Sequence, residues 1–225
     1  MRKTVPIFLL MAAFAYAGDD EAKRLNEATT VLNEMMAAGD KGIPTSLLDG
    51  SACVIVIPSM KKAGFIIGGK YGRGFMSCRN AGGKGWRDPA AVRVEGGSFG
   101  LQAGGAATDV IMIVKNQKGA EKLMQDKFTI GGEASAAAGP VGRDTSAMTD
   151  AQMNAEMLSW SRSRGIFGGI SLDGATLRED KDGNKELYGK EMSSKDVLTA
   201  NGLDAPAAKP FVEALTKFSP AKKGA

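Results

Sequence analysis

The chain contains no histidine. That absence removes Ser-His and Cys-His nucleophile activation and His-ligated zinc or haem, leaving only carboxylate, lysine, tyrosine or thiol chemistry. Cysteine is nearly absent too, with Cys53 and Cys78 the only two. An excess of one charge is also missing: 29 basic residues stand against 25 acidic ones, and the net charge of +4 falls to +2 once Arg2 and Lys3 are set aside. So balanced a chain does not point to nucleic acid as a partner. After residue 17 no apolar run approaches the roughly 20 residues that span a bilayer, so the mature chain is expected to be soluble.

What is present begins with a leader. Arg2 and Lys3 precede an apolar run from Val5 to Phe14 that closes on Ala15-Tyr16-Ala17, the pattern of an export signal with cleavage after Ala17. Gly18, not cysteine, follows the cleavage point. The expectation is therefore a periplasmic or secreted protein without a lipid anchor. Residues 1–17 are set apart as the signal, 18–219 are read as one domain, and 220–225 as a basic tail.

From Asp20 to Ala38 the apolar residues Ala22, Leu25, Ala28, Leu32 and Met35 recur at spacings of three and four, one stripe along a helix that Gly39 can cap. The stripe suits packing on the domain's own sheet, the alternative being insertion at a membrane interface. Asp19, Asp20, Glu21, Glu27 and Glu34 outnumber Lys23 and Arg24, whereas interfacial helices are usually Lys- or Arg-rich on their polar face.

Short strand signals follow. Cys53–Ile57 is continuously apolar and β-branched, and Pro58 is expected to end it. Further strands are predicted at 63–68, 71–79, 91–95, 98–103, 109–114, 127–130, 159–162, 166–172 and 175–178. Helices are predicted at 118–125, after Thr149, from the Ser193/Asp196 capping box, and from Pro206 with Phe211, Leu215 and Phe218 on one face. Thirty glycines, about twice the usual share, imply bends and close backbone packing. The fold class is α+β: a strongly curved, Gly-rich, barrel-like antiparallel sheet with amphipathic helices at both ends.

Three catalytic or ligand motifs fail on inspection. Gly69-Lys70-Tyr71-Gly72-Arg73-Gly74 has strand signals on both sides where a phosphate loop needs a helix to begin. Ser59-Met60-Lys61-Lys62 matches S-x-x-K but lacks its companion elements. Asp180, Asp182 and Asn184 alternate like calcium ligands, but the glycine falls at the fourth position instead of the sixth, and a hairpin turning at Asp182-Gly183 is the simpler reading. Asp109, Glu133, Asp144 and Asp173 could serve as acids or bases, though nothing in their spacing pairs them. No metal and no cofactor are expected.

Four phrases in order resemble the SYLF-domain family: Cys53–Arg79 (CVIVIPSMKKAGFIIGGKYGRGFMSCR), Gly96–Val114 (GGSFGLQAGGAATDVIMIV), Ile130–Asp144 (IGGEASAAAGPVGRD) and Ser159–Gly174 (SWSRSRGIFGGISLDG), followed by Leu187-Tyr188-Gly189. The similarity covers most of residues 25–215. It implies membrane or lipid recognition without catalysis, since eukaryotic members are phosphoinositide-binding and in some cases actin-binding modules, and bacterial members are exported and thought to bind lipid. For an exported chain the expected partner is anionic phospholipid, with an envelope adaptor that binds a protein as the alternative.

The contacts for such a ligand come from charge placement. Between Gly50 and Arg87 stand seven basic residues and no acid, a block expected to form one cationic face. Lys61, Lys62, Lys70, Arg73 and Arg79 are the first candidates, with Arg143, Arg162 and Arg164 as a second cluster. Alternation along 71–79 places Tyr71, Arg73, Phe75, Ser77 and Arg79 on one side of a strand. Cys53 and Cys78 are expected to lie close together; they can form a disulfide in an oxidising compartment or remain buried thiols.

Overall fold

A computed structural model describes residues 18–39, 42–64, 67–80, 82, 85–99, 106–140, 148–163 and 165–220. Residues 1–17, expected to be an export signal, and Lys84, Arg143, Asp144 and Arg164 lie outside them. Among these residues the content is mixed α+β, and a nine-stranded sheet curls into half a barrel with helices at both ends. The strands are β1 (Cys53–Gly64), β2 (Ile67–Cys78), β3 (Ala90–Phe99), β4 (Ala106–Val114), β5 (Lys127–Thr129), β6 (Ala136–Ala138), β7 (Met157–Ser163), β8 (Ile166–Gly169) and β9 (Thr176–Glu179). Their order is β5-β9-β3-β2-β1-β4-β7-β6, with β8 also pairing β7. Every pairing is antiparallel except β6 with β7.

Pro58 does not end the first strand. β1 runs through it, and the register with β2 and β4 slips between Val56 and Met60–Lys61, so a bulge absorbs the residue that cannot donate. Ser59 adopts φ 49° there, and its N–H donates to Asp109 at 2.9 Å. The bulge presses on β2: a Cβ built on Gly74 would lie 2.0 Å from the Val56 carbonyl oxygen. Only glycine fits that approach.

Alternation splits the sheet between two cores. One joins Ile55, Met76, Val92, Met112, Leu177 and Phe128 with Leu123 and Val197 of the helices α3 (Gln117–Leu123) and α6 (Ser194–Thr199). It spans the sheet from β5 at one edge to Met157 of β7 near the other, and this face is termed the inner one. The outer face carries Val54, Val56, Phe75, Ile111, Ile113 and Trp160, covered by α1 (Gly18–Ala37) and α7 (Lys209–Phe218). Leu25, Ala28, Leu32 and Met35 of α1 are fully buried there, each large side chain stabilising the docked helix by about 1.5–3 kcal/mol. The stripe thus packs on the sheet, and Gly39 ends the helix at φ 61°.

The remaining helices are α2 (Thr45–Asp49), α4 (Asp150–Asn154) and α5 (Lys181–Tyr188). Thr149 and Ser193 each close a capping box, at α4 and α6. The expected hairpin at Asp182-Gly183 is instead α5. Asp180 caps it by accepting from the Gly183 N–H at 3.2 Å, and Asn184 accepts from the Ala91 N–H of β3 at 2.7 Å. The alternating polar residues that mimic calcium ligands are thus a helix cap and a sheet anchor. Cys53 and Cys78 face each other at the β1–β2 end, joined by a disulfide with Cα atoms 4.0 Å apart.

Candidate functional site

The acid-free block does not gather on one face. Arg73, Arg79 and Lys61 point outward from the sheet, while Lys70 and Lys62, cross-strand partners, belong to the inner face. Arg73 is half-buried, with Nη2 2.6 Å from Glu21 of α1 and Nε 2.5 Å from Asp180. Burial works to lower its pKa, but the hydrogen bond to Asp180 and the charges of Glu21 and Asp180 outweigh it and raise the value. Arg79 stacks 4.1 Å over Trp86 and donates from Nη1 to the Ser219 and Pro220 carbonyls at 3.1 and 3.3 Å. Burial lowers its pKa. Arg162 donates to Asp109 through Nε and Nη2 at 2.9 and 2.6 Å, and through Nη1 to Glu34 of α1. These three arginines hold α1 and the chain after α7 to the sheet.

Lys70 is buried, and burial, then the charge of Lys62, lowers its pKa against an opposing pull from Asp173. Lys61 is exposed and Lys62 half-exposed. Arg87 donates to the Ala200 carbonyl at 2.8 Å and to Asn201 at 2.5 Å. It lines, with Arg79, Lys115, Asp49 and Cys78, a cleft of about 700 Å³. Lys115 is likewise spent, donating to the Met153 carbonyl at 2.6 Å.

The cations that line up come from elsewhere. Register places Arg73 of β2 opposite Arg93 of β3, Arg93 opposite Arg178 of β9, and Arg178 opposite Lys127 of β5. Partners in register share a face, so four cations stand abreast on the outer surface. Arg73 is neutralised by Glu21 and Asp180; Arg93 and Arg178 share Glu95, and Lys127 has no ion-pair partner among the described residues. A second row beside the first reads Lys61, Tyr71, Glu95, Thr176 and Thr129. α5 packs over Ala91, and past it Arg93, Glu95 and Arg178 are half-exposed, while Lys61, Lys127 and Tyr71 are exposed, Tyr71 by 48%. A groove of about 230 Å³ lined by Arg93, Arg178, Asp126, Glu179, Lys181 and Asp182 runs along the foot of this surface. Sequence reasoning reaches Lys61 and Tyr71 but misses Arg93, Lys127 and Arg178, which no local window brings together.

Among the described residues no group of three or more Cys, Asp or Glu is placed to hold a metal. The candidate acids are occupied locally: Asp109 by Arg162 and Ser59, Glu133 by the Thr129 N–H, and Asp173 by Ser171.

The fold and its surfaces define a mixed α+β half-barrel module with an open polar sheet face. Residues 95–218 match the family described as Ysc84, Las17-binding protein actin regulator, and the chain belongs to this Ysc84/SYLF family. It is 35% identical over 176 residues to an SH3 domain-containing protein of Schizosaccharomyces pombe, covering 77% of this chain and 40% of that protein. It is 30% identical over 199 residues to SH3 domain-containing YSC84-like protein 1 of Bos taurus, covering 88% and 57% respectively. With LAS seventeen-binding protein 3 of Saccharomyces cerevisiae it shares 29% over 191 residues, 84% of this chain and 41% of the relative. The chain thus spans from about two-fifths to under three-fifths of the length of these relatives.

Proposed function

We propose that the chain is a non-catalytic adaptor module that binds a protein partner through the open outer face of its sheet. The observation that carries this reading is the use of the arginines. Arg73, Arg79 and Arg162, which an anionic-membrane reading needs free, are spent on holding helices and chain ends, while β2, β3, β9 and β5 present an uncovered surface of mixed charge around exposed Tyr71. Such a rim-and-patch composition, polar with an aromatic at its centre, suits a transient protein interface. The family description and the name of one relative, both of which specify binding to a protein, support the same reading.

The test replaces Tyr71 with a photo-crosslinking amino acid. Discrete protein adducts that unlabelled wild-type chain competes away are expected; flotation on anionic vesicles with no such adducts overturns the reading. A second reading, binding of anionic phospholipid, keeps Lys61 and Lys62 as its contacts, because both reach solvent at the end of the β1–β2 hairpin.

Export is part of the proposal. A disulfide between Cys53 and Cys78 suits an oxidising compartment. Cleavage after Ala17 predicts a mature chain beginning at Gly18 with no acyl group, which intact-mass measurement checks.

A further inference from the structure

We infer that the cation row Arg93, Arg178 and Lys127 seats an acidic helical segment of the protein partner, an assignment that rests on the adaptor reading above. Like charges directly opposite one another on neighbouring strands destabilise a sheet unless something neutralises them. Here three do so with one carboxylate among them. Glu95 lies 2.9 Å from Arg93 Nε and 3.4 Å from Arg178 Nε, yet both Nε–H groups are buried and without a hydrogen-bond acceptor. Buried donors left unpaired are rare and costly. Two of them side by side, on arginines whose side chains are still 36% and 39% exposed, describe a surface short of acceptors. The Nε atoms themselves are closed to solvent, so carboxylates from outside pair with the parts of the two guanidiniums that remain exposed.

The spacing selects the form of the ligand. Neighbouring strands step by about 4.8 Å, so the row repeats at about that interval. Side chains three and four apart on a helix lie about 5–6 Å apart and stay in step with it, whereas same-side residues of an extended strand recur at about 6.8 Å and fall out of step. The surroundings select a protein segment over a membrane. Asp126 and Asp182 line the same groove and are exposed; a planar anionic surface would press against them, while a helix can turn neutral side chains toward these acids and carboxylates toward the row. Tyr71, exposed in the adjoining row, offers an apolar face to such a helix.

The test uses the whole chain and fluorescence anisotropy of a labelled Ala-rich helical peptide with Glu at every fourth position, against the same peptide with Gln in place of Glu. The Glu peptide is expected to bind and the Gln peptide not to. The variant R93Q/R178Q, with K127Q alone as the milder case, is expected to weaken binding at least about tenfold, since charge-assisted hydrogen bonds are roughly twice as strong as neutral ones. Thermal melting of each variant is expected to be no lower than the parent's, because cations opposed across neighbouring strands are removed; if R93Q/R178Q fails to fold, K127Q decides. Equal binding by parent and variants overturns the proposal. So does loss of phosphatidylglycerol-vesicle binding in the variants with peptide binding unchanged, which would make the row a lipid site. Crosslinks at Tyr71 that persist in R93Q/R178Q would overturn this seat while leaving the adaptor reading intact; absence of crosslinks in the parent counts against the adaptor reading itself.

Discussion

Glu21, 1% exposed near the start of α1, lies 2.6 Å from the guanidinium of Arg73 in the middle of β2. Arg24 also reaches Glu21, and Asp180 takes the other side of Arg73. The pair therefore joins the first helix, the central sheet and the cap of α5. Arg73→Gln is expected to destabilise the fold by about 3 kcal/mol, the cost of leaving a buried charge short of its partner. Denaturant unfolding measures it. A variant as stable as the parent would mean that Arg73 is a surface residue free to serve a ligand.

The disulfide closes a loop of 25 residues around the β1–β2 hairpin. Removing it by C53A/C78A is expected to cost about 3–4 kcal/mol on the loop-entropy scale. A reductant should lower the parent's denaturant midpoint by a comparable amount and leave that of the double variant unchanged.

Gly74→Ala places a methyl group against the Val56 backbone, where no rotamer relieves the clash. The expected result is a loss of about 3 kcal/mol or outright failure to fold. Gly69→Ala is the control: nothing lies within 4 Å of its Cβ position, and its stability should change by less than about 1 kcal/mol. Circular dichroism melts of the two variants separate steric demand at the bulge from a general intolerance of alanine.

Lys70 is buried, and burial, reinforced by Lys62, lowers its pKa. A lysine whose folded pKa is depressed costs stability while charged, and the native state releases its proton before the unfolded chain does. The parent should therefore gain stability as pH rises from the folded value toward the ordinary lysine range. Lys70→Met is expected to be more stable than the parent at pH 7, with the difference shrinking as pH rises through that window. An advantage that is constant with pH would refute the charge-burial account.

Local signals were legible and non-local ones were not. The capping boxes at Thr149 and Ser193, the apolar stripe of α1 and the Phe211/Leu215 face of α7 are written in neighbouring residues and match the structure. Pro58 misled because a missing donor reads as a stop, while the β1–β4 pairing tolerates it at a bulge. Asp180–Asn184 misled because the same residue types serve turns and helix caps. β6 is three alanines, with no period to read. The candidate site was the least legible part: Arg93, Lys127 and Arg178 become neighbours only because β9 inserts between β3 and β5, whereas the conspicuous run from Lys61 to Arg87 is divided by strand alternation.

β2 and the residue just past it hold both ends of the described chain. Near its start α1 is fastened at Arg73 of β2, and past α7 the chain is fastened at Arg79, six positions further on and one residue past the end of β2. Tension applied between the two ends is borne first by these two side-chain anchors and by the apolar seats of α1 and α7, and the ladders of β2 with β1 and β3 stay out of the load path. The helices would peel away one at a time while the nine strands remain paired. The module would yield in small steps at its outer layer, like a joint with shear pins, before its frame gives way.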